Sequence, residues 1–300
     1  MTARPGTTSA TKLPRLLAPI AWLSFLANVL IIGTGGAVRL TGSGMGCPTW
    51  PLCTAESLVP TEELTYHSLI EFGNRTLTGL LVILALAVLI LSWRARRQRR
   101  DLFVLAIVVL VGIIVQAIMG GIVVWLHLNA NLVGLHYVLS VILVCITAAF
   151  LVRMKTVPGP RELVVPRNFR LLGRVTAVVL AVTVYVGVLT TGAGPHSGDA
   201  NIQRDGFDAS ILAHVHAWPG YVLFALTLAM LVWAAMRNLQ PRRWLTILLV
   251  AQLVQVAVGI YQARTGLPPI AVGVHMVLAS LCAAAMTVVI MRFTRPVSAE

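Results

Sequence analysis

The sequence predicts an all-α integral membrane protein: eight transmembrane helices forming two tandem four-helix bundles, related by a pseudo-two-fold axis, with both termini cytoplasmic. Three observations carry that expectation. The 300 residues are 58% hydrophobic and only 11% charged, with a mean hydropathy of +0.87, where soluble domains run at about 25% charged. Eight apolar stretches reach the roughly 20 residues that a helical span needs. The second half of the chain also repeats residues of the first in register.

The same composition removes other classes. Four cysteines in 300 residues exclude a disulfide scaffold, and the apolar content excludes disorder. A net charge of +13 suggests a nucleic-acid partner only until the charges are placed. Nineteen of the 23 Lys and Arg lie before span 1, between spans 2 and 3, between spans 4 and 5 or at the very start of span 5, after span 6 or after span 8. The opposite side holds Arg39, Arg204 and Arg264 against six acids. By the positive-inside rule the basic loops and both termini face the cytoplasm, and no nucleic acid is needed to explain the charge. The expected organisation is a tail at 1–16, an N-terminal half at 17–152, a cytoplasmic linker at 153–171, a C-terminal half at 172–291 and a tail at 292–300.

Span 1 (17–38) is longer than a signal-peptide core and lacks a small-residue cleavage site, so it reads as a retained helix. It ends in Gly33-Thr34-Gly35-Gly36. The following loop contains Cys47-Pro48-Thr49-Trp50-Pro51-Leu52-Cys53. Two cysteines six apart on the outer, oxidising side read as a disulfide that closes a Pro-rich loop. The alternative is a dithiol–disulfide pair that exchanges electrons, although the usual Cys-x-x-Cys spacing is missing.

Span 2 (68–92) carries Glu71, Asn74 and Arg75. His67, Glu71, Asn74 and Thr78 are spaced 4, 3 and 4 apart and so share one helix face, a polar stripe running inward from the outer surface. Glu71 reads either as half of an ion pair with a basic residue on another helix or as a carboxylate that moves protons at a buried reaction centre. Arg75, about 100° round from Asn74, is placed to reach an anionic group near the interface.

Spans 3 (102–126) and 4 (131–152) are echoed by spans 7 (244–263) and 8 (269–291). Val133-Gly134-Leu135-His136-Tyr137-Val138-Leu139-Ser140 matches Val272-Gly273-Val274-His275-Met276-Val277-Leu278-Ala279. Gln116 and Gln255 each stand 20 residues before the histidine of that motif, and Gly120 and Gly259 each stand 16 before it. The end of span 5 (172–192), Thr190-Thr191-Gly192-Ala193-Gly194, echoes the end of span 1. An even number of spans per repeat gives both halves one orientation, about an axis along the membrane normal. A four-helix unit is a natural holder of a cofactor between facing helices. In the loop Gly194-Pro195-His196-Ser197-Gly198-Asp199, His196 either caps a polar group of a ligand or belongs to a tight interfacial turn.

Four histidines fall four to six residues inside the outer ends of even-numbered spans: His136, His214 and His216 (span 6, 210–236), and His275. In the plainer reading they are buried imidazoles satisfied by carbonyls or water, but a repeated Val-Gly-x-His-x-Val-Leu argues for ligands, since packing alone has no need of an imidazole at both places. His214 and His216 lie about 200° apart on a helix, so only one faces the interior. His216 and His275 would suit bis-imidazole ligation of a haem iron. Cys145 and Cys282 read as packing residues.

Over residues 17–291 the chain resembles the haem A synthase family. The resemblance rests on Val38-Arg39-Leu40-Thr41-Gly42-Ser43-Gly44 leading into the cysteine loop, Glu71-Phe72-x-x-Arg75, Gly194-Pro195-His196-Ser197-Gly198-Asp199 and the His136 and His275 repeats. It implies a multi-pass oxidoreductase of the bacterial plasma membrane. Such an enzyme oxidises the C8 methyl of haem O to a formyl group by successive hydroxylations, making haem A for terminal oxidases. It further implies a haem B cofactor on His216 and His275, a substrate haem O with His136 on its iron, Glu71 as the essential carboxylate and Cys47 with Cys53 as the cysteine pair. Arg39 and Arg75 become candidates to hold haem propionates. Haem O synthase and terminal-oxidase assembly factors are the implied partners, and a homo-oligomer is compatible with the pattern.

The sequence departs from the family at one place. Many members have His three residues after the glutamate, where this chain has Asn74. An amide is a poor ligand for haem iron, so the substrate is expected to rest on His136 alone, with the Asn74 side open to water or oxygen. His67, two turns outward on the same face, lies too near the surface to replace it. Two other classes remain: a bis-His cytochrome b electron carrier, which leaves Glu71 without a role, and a haem transporter, which histidines near one face suit poorly.

Overall fold

The structure, a computed structural model, describes residues 13–61, 65–195, 198, 206 and 208–297. Among these residues eight helices run α1 (Leu17–Leu40), α2 (Tyr66–Trp93), α3 (Arg100–Trp125), α4 (Ala130–Met154), α5 (Arg167–Ala193), α6 (Ala209–Met236), α7 (Arg242–Arg264) and α8 (Pro269–Met291). Each is long and apolar enough to cross a membrane, and the chain is a multi-pass membrane protein.

Polar residues set several starts. Thr65 and Ser68 form a capping box on α2, while Asn129 on α4 and Asp208 on α6 accept from the first free backbone N–H groups. The Ser210 hydroxyl, followed by those N–H groups, holds the exposed Asp208 carboxyl below its ordinary pKa. α5 begins five residues before its apolar run. Its extra turn is amphipathic and buries Phe169 edge-on against Trp233 and Phe293.

The linker and the C-terminal tail, expected as plain segments, pair instead. β1 (Arg161–Leu163) runs antiparallel to β2 (Thr294–Pro296), with Glu162 opposite Arg295. The all-α expectation therefore needs this small two-stranded addition.

α1, α2, α3 and α4 pack in a ring, each on the next and α4 back on α1. α5 to α8 pack in the same order, with a sparser closure between α5 and α8. The two sets meet where α8 lies on α4 and α1, and where α5 lies on α4. The main core sits at this junction, built on Val144, Phe169, Met230, Leu248 and Val289. Cys282-Ala283-Ala284-Ala285, all buried there, are small enough to let helix backbones approach closely. Tyr137, which follows His136, donates its hydroxyl at 2.9 Å to the carbonyl of Met276, which follows His275. A Cβ on Gly134 would meet Val188 Cγ1 at 2.5 Å, so α4 and α5 touch at that glycine. All the odd helices end, and all the even ones begin, on the same side of the molecule.

Candidate functional site

Four polar side chains, each six to eight residues into an even-numbered helix and so roughly 10 Å from its start at 1.5 Å per residue, lie against a glycine on the helix before. His136 of α4 faces Gly120 of α3, His216 of α6 faces Gly187 of α5, His275 of α8 faces Gly259 of α7, and Asn74 of α2 faces Gly35 of α1. An added Cβ on those glycines would stand 3.6, 2.8, 3.1 and 3.8 Å from the facing side chain. The glycines are therefore seats for the rings, most tightly at Gly187. The fixed offset of Gly120 and Gly259 from their histidines was visible in the sequence; Gly35 and Gly187 gave no such sign.

In the second half the rings of His216 and His275 face each other, 6.2 Å between centroids and 75° between planes. The Nδ1 atoms of His136, His216 and His275 are all buried and make no hydrogen bond of good geometry, although the His216 ring lies near the Thr183 backbone and the His275 ring near that of Gln255. The separation of His216 and His275 leaves room for one metal ion at about 2 Å from a nitrogen of each ring. Among the described residues no three His, Cys, Asp or Glu side chains gather to hold a bare metal. A two-nitrogen site of this kind fits an iron that brings its other four ligands with it, as a haem does. His214 lies on the exposed side of α6 with Nδ1 at 2.8 Å from the Ser210 carbonyl, as the 200° argument requires.

Gln116 and Gln255 tie the helices that carry His136 and His275 to their neighbours. Their amide nitrogens donate to the carbonyls of His136 (2.8 Å) and His275 (3.0 Å), and Gln116 also reaches the Ser140 hydroxyl. In the first half, the Thr34 hydroxyl donates to Asn74 Oδ1 at 2.8 Å, a contact across 40 residues that no sequence pattern announced.

A second cluster lies just outward. Glu71 is 5% exposed; its Oε2 accepts from the Cys47 N–H at 2.7 Å and its Oε1 from Arg75 Nη2 at 2.5 Å. Arg75 also donates to the carbonyls of Cys47 (2.8 Å), Thr49 (2.8 Å) and Leu52 (3.0 Å). Cys47 and Cys53 are joined by a disulfide. The pair Glu71–Arg75 thus latches the closed loop onto α2, while Trp50 of that loop lies on Gly121 of α3. The ion-pair reading of Glu71 placed its partner on another helix; the partner is Arg75, one turn along the same helix. A spacing of four was the available signal.

Arg75 points into the loop instead of toward the lipid interface. Arg39 donates to the Thr191 carbonyl at 2.8 Å, linking the ends of α1 and α5. His67 is exposed and bonded through Nδ1 to Ser43 Oγ at 3.0 Å, away from the inner positions. His196 lies outside the described residues.

Gly46 offers a direct test of the latch. A Cβ there would fall 2.4–2.8 Å from the His67 carbonyl and the Ser68 nitrogen, backbone that cannot swing aside. Gly46→Ala should lower stability by about 1–3 kcal/mol and speed reduction of the disulfide, read by thiol alkylation after brief exposure to reductant. An unchanged melting temperature and labelling rate would show that the loop is not held this way.

Comparison with known proteins adds the family. Residues 18–205 match the model of the family described as cytochrome oxidase assembly protein. Curated relatives include proteins named haem A synthase from Halalkalibacterium halodurans (27% identical, covering 94% of this chain and 98% of that one) and Listeria welshimeri (27%, 86% of each). A third, from Listeria monocytogenes, is 28% identical over 86% of each chain.

Proposed function

The chain belongs to the cytochrome oxidase assembly protein family, and from that premise we propose that it makes haem A from haem O, oxidising the C8 methyl group to a formyl group by successive hydroxylations followed by loss of water. The observation that carries this reading is the set of inward, glycine-seated histidines with buried Nδ1 atoms that make no hydrogen bond of good geometry, two facing each other in one half and one in the other. The curated relatives, named haem A synthase, give that haem chemistry its direction.

His216 and His275 would hold haem B, which supplies one-electron transfer when bound. His136 takes the iron of the substrate haem. Asn74, held by Thr34, occupies the place that His216 holds in the second half and leaves one face of the substrate iron without a protein ligand. Glu71, three residues outward of Asn74 on α2, accepts and returns protons as the methyl group is oxidised. Arg39, at the junction of the two halves, and Arg75, whose donors hold the loop and Glu71, are the candidates to hold propionates.

The two rings of helices read as tandem repeats about an axis along the membrane normal, separated by the linker at 153–171. Both termini are assigned to the cytoplasmic face of a bacterial plasma membrane by the charge bias. Haem O synthase and terminal-oxidase assembly factors are the partners that such a substrate and product require.

The test is chromatography of haems extracted from a host that makes haem O and no haem A, with and without this protein. Haem A or its hydroxylated precursor should appear only with the protein. Haem B alone, co-purifying without product, would instead favour a bis-His cytochrome b carrier, which the facing pair His216–His275 would equally serve.

The one-ligand substrate site has its own readout. Asn74→His should convert a high-spin component of the bound-haem spectrum to low-spin and reduce turnover. Low-spin character gained with full activity retained would defeat the idea that the open side matters.

A further inference from the structure

We propose a binding site for the phosphate group of an anionic lipid, formed by Arg153, Arg161 and Arg99 where the linker leaves the first four helices. It involves none of the haem-site residues and does not depend on the haem reading.

The site is built from three segments. Arg99, in the turn between α2 and α3, is 4% exposed; it bonds to Asp101 through Nε (3.1 Å) and Nη2 (3.2 Å), and its Nη2 also donates to the Arg153 carbonyl (2.7 Å). Arg153 lies in the last turn of α4, and among the described residues its guanidinium makes no hydrogen bond or ion pair. Arg161, in β1, donates from Nη2 to Thr156 Oγ1 at 2.9 Å, and Thr156 Oγ1 in turn donates to the Arg153 carbonyl at 3.0 Å. The Nε of Arg161 is buried and has no partner.

Three guanidinium groups and one carboxylate leave a net charge of about +2 in one place. Burial first, then the charges of Arg153 and Arg99, push the Arg161 pKa below its ordinary value, and Asp101 only partly opposes them. Like charges gathered around a buried, unsatisfied N–H lack an anion. With a small turn of the half-buried Arg161 side chain, a phosphate oxygen would accept from its Nε while its charge is shared with Arg153, a pairing at which guanidinium groups excel.

Position selects the source of that phosphate. The cluster sits at the helix ends that carry most of the basic residues, beside a linker that β2 clamps through its pairing with β1 and the Val297 N–H to Pro160 carbonyl bond (3.0 Å). Basic pockets between transmembrane helices at that face take anionic headgroups. A headgroup phosphate here would tie the first four helices to the linker that leads into the second four.

The experiment uses the full chain in nanodiscs of phosphatidylcholine alone or with phosphatidylglycerol, reading retained lipid by native mass spectrometry and stability by melting temperature. Phosphatidylglycerol should be retained and should raise the melting temperature. Arg153→Gln/Arg161→Gln should lose that increment, with lipid affinity falling roughly thirtyfold for two charges near the surface. Arg94→Gln/Arg97→Gln removes the same charge from exposed positions on the same side and should keep it. If the double variant folds poorly, Arg153→Gln alone should lose part of the increment in protein that melts normally in phosphatidylcholine.

Inorganic phosphate added to the phosphatidylcholine nanodiscs separates the sources. An effect of phosphate equal to that of the lipid and lost in the same variant would assign the site to free phosphate and overturn the lipid. Equal loss in both double variants would mean diffuse charge attraction, and no increment in the unaltered protein would mean no site.

Discussion

His275→Ala should abolish the bis-imidazole haem spectrum of the purified protein and lower haem B affinity by at least about a hundredfold. Removing a partner that merely orients a ligand costs 10–100-fold in metal affinity, so removal of a ligand sets that upper value as a floor. His216→Ala should do the same, because the two rings face each other across 6.2 Å and neither can be replaced. The nearest other imidazole on α6 is His214, which points outward and is held at the Ser210 carbonyl.

The seats make the prediction sharper than loss of a ligand alone. A methyl group at Gly187 would lie 2.8 Å from His216 Cε1, at Gly259 3.1 Å from His275 Cε1, and at Gly120 3.6 Å from His136 Cε1. The imidazole can turn away from each, so the fold should survive all three alanine substitutions. The spectral shift should follow the order of crowding: Gly187→Ala largest, Gly259→Ala smaller, Gly120→Ala slight. A low-spin spectrum unchanged in Gly187→Ala and in His275→Ala would remove haem from this pair of helices.

Much of this arrangement was legible in the sequence because membrane insertion and duplication leave coarse, repeated marks. Eight apolar runs gave eight helices, and fixed offsets put Gln116, Gly120 and His136 on the same footing as Gln255, Gly259 and His275. The helix-angle argument separated His214 from His216. Contacts made across turns of the fold left no such mark. Thr34 meets Asn74 only because α1 and α2 are neighbours at that depth, and Tyr137 finds the Met276 carbonyl only where the two sets of helices join.

The strands of the linker and tail leave no mark for a different reason. Arg161–Leu163 and Thr294–Pro296 are too short for any alternation of residues to show, and each forms a strand only because the other is there. The direction of Arg75 is set by its spacing of four from Glu71, and its angle to Asn74, the adjacent residue, carries no information about it.

That Glu71–Arg75 pair is where the second large effect is expected. Glu71→Gln should reduce haem A formation by about 10²–10⁴-fold, the span of general acid–base contributions, while haem binding persists. The amide keeps an oxygen that can accept from the Cys47 N–H, but it offers Arg75 no charge. Arg75→Leu acts differently. It strips the carboxylate of its counter-charge and the loop of three carbonyl contacts, and should destabilise the protein by about 3 kcal/mol. That is the lower end for breaking a buried pair, chosen because the Arg75 side chain keeps 19% of its surface exposed. If Glu71 only anchored the loop, both variants would melt early and their disulfides would open readily to reductant. If it also moves protons, Glu71→Gln should lose more turnover than Arg75→Leu does, although Arg75 keeps its three carbonyl contacts to the loop and the variant melts closer to normal. Cys47→Ser/Cys53→Ser, which leaves the Cys47 backbone N–H in place, gives the remaining comparison: a loss as deep as that of Glu71→Gln would transfer the role from the carboxylate to the loop, and full activity in Glu71→Gln would remove the proton role altogether.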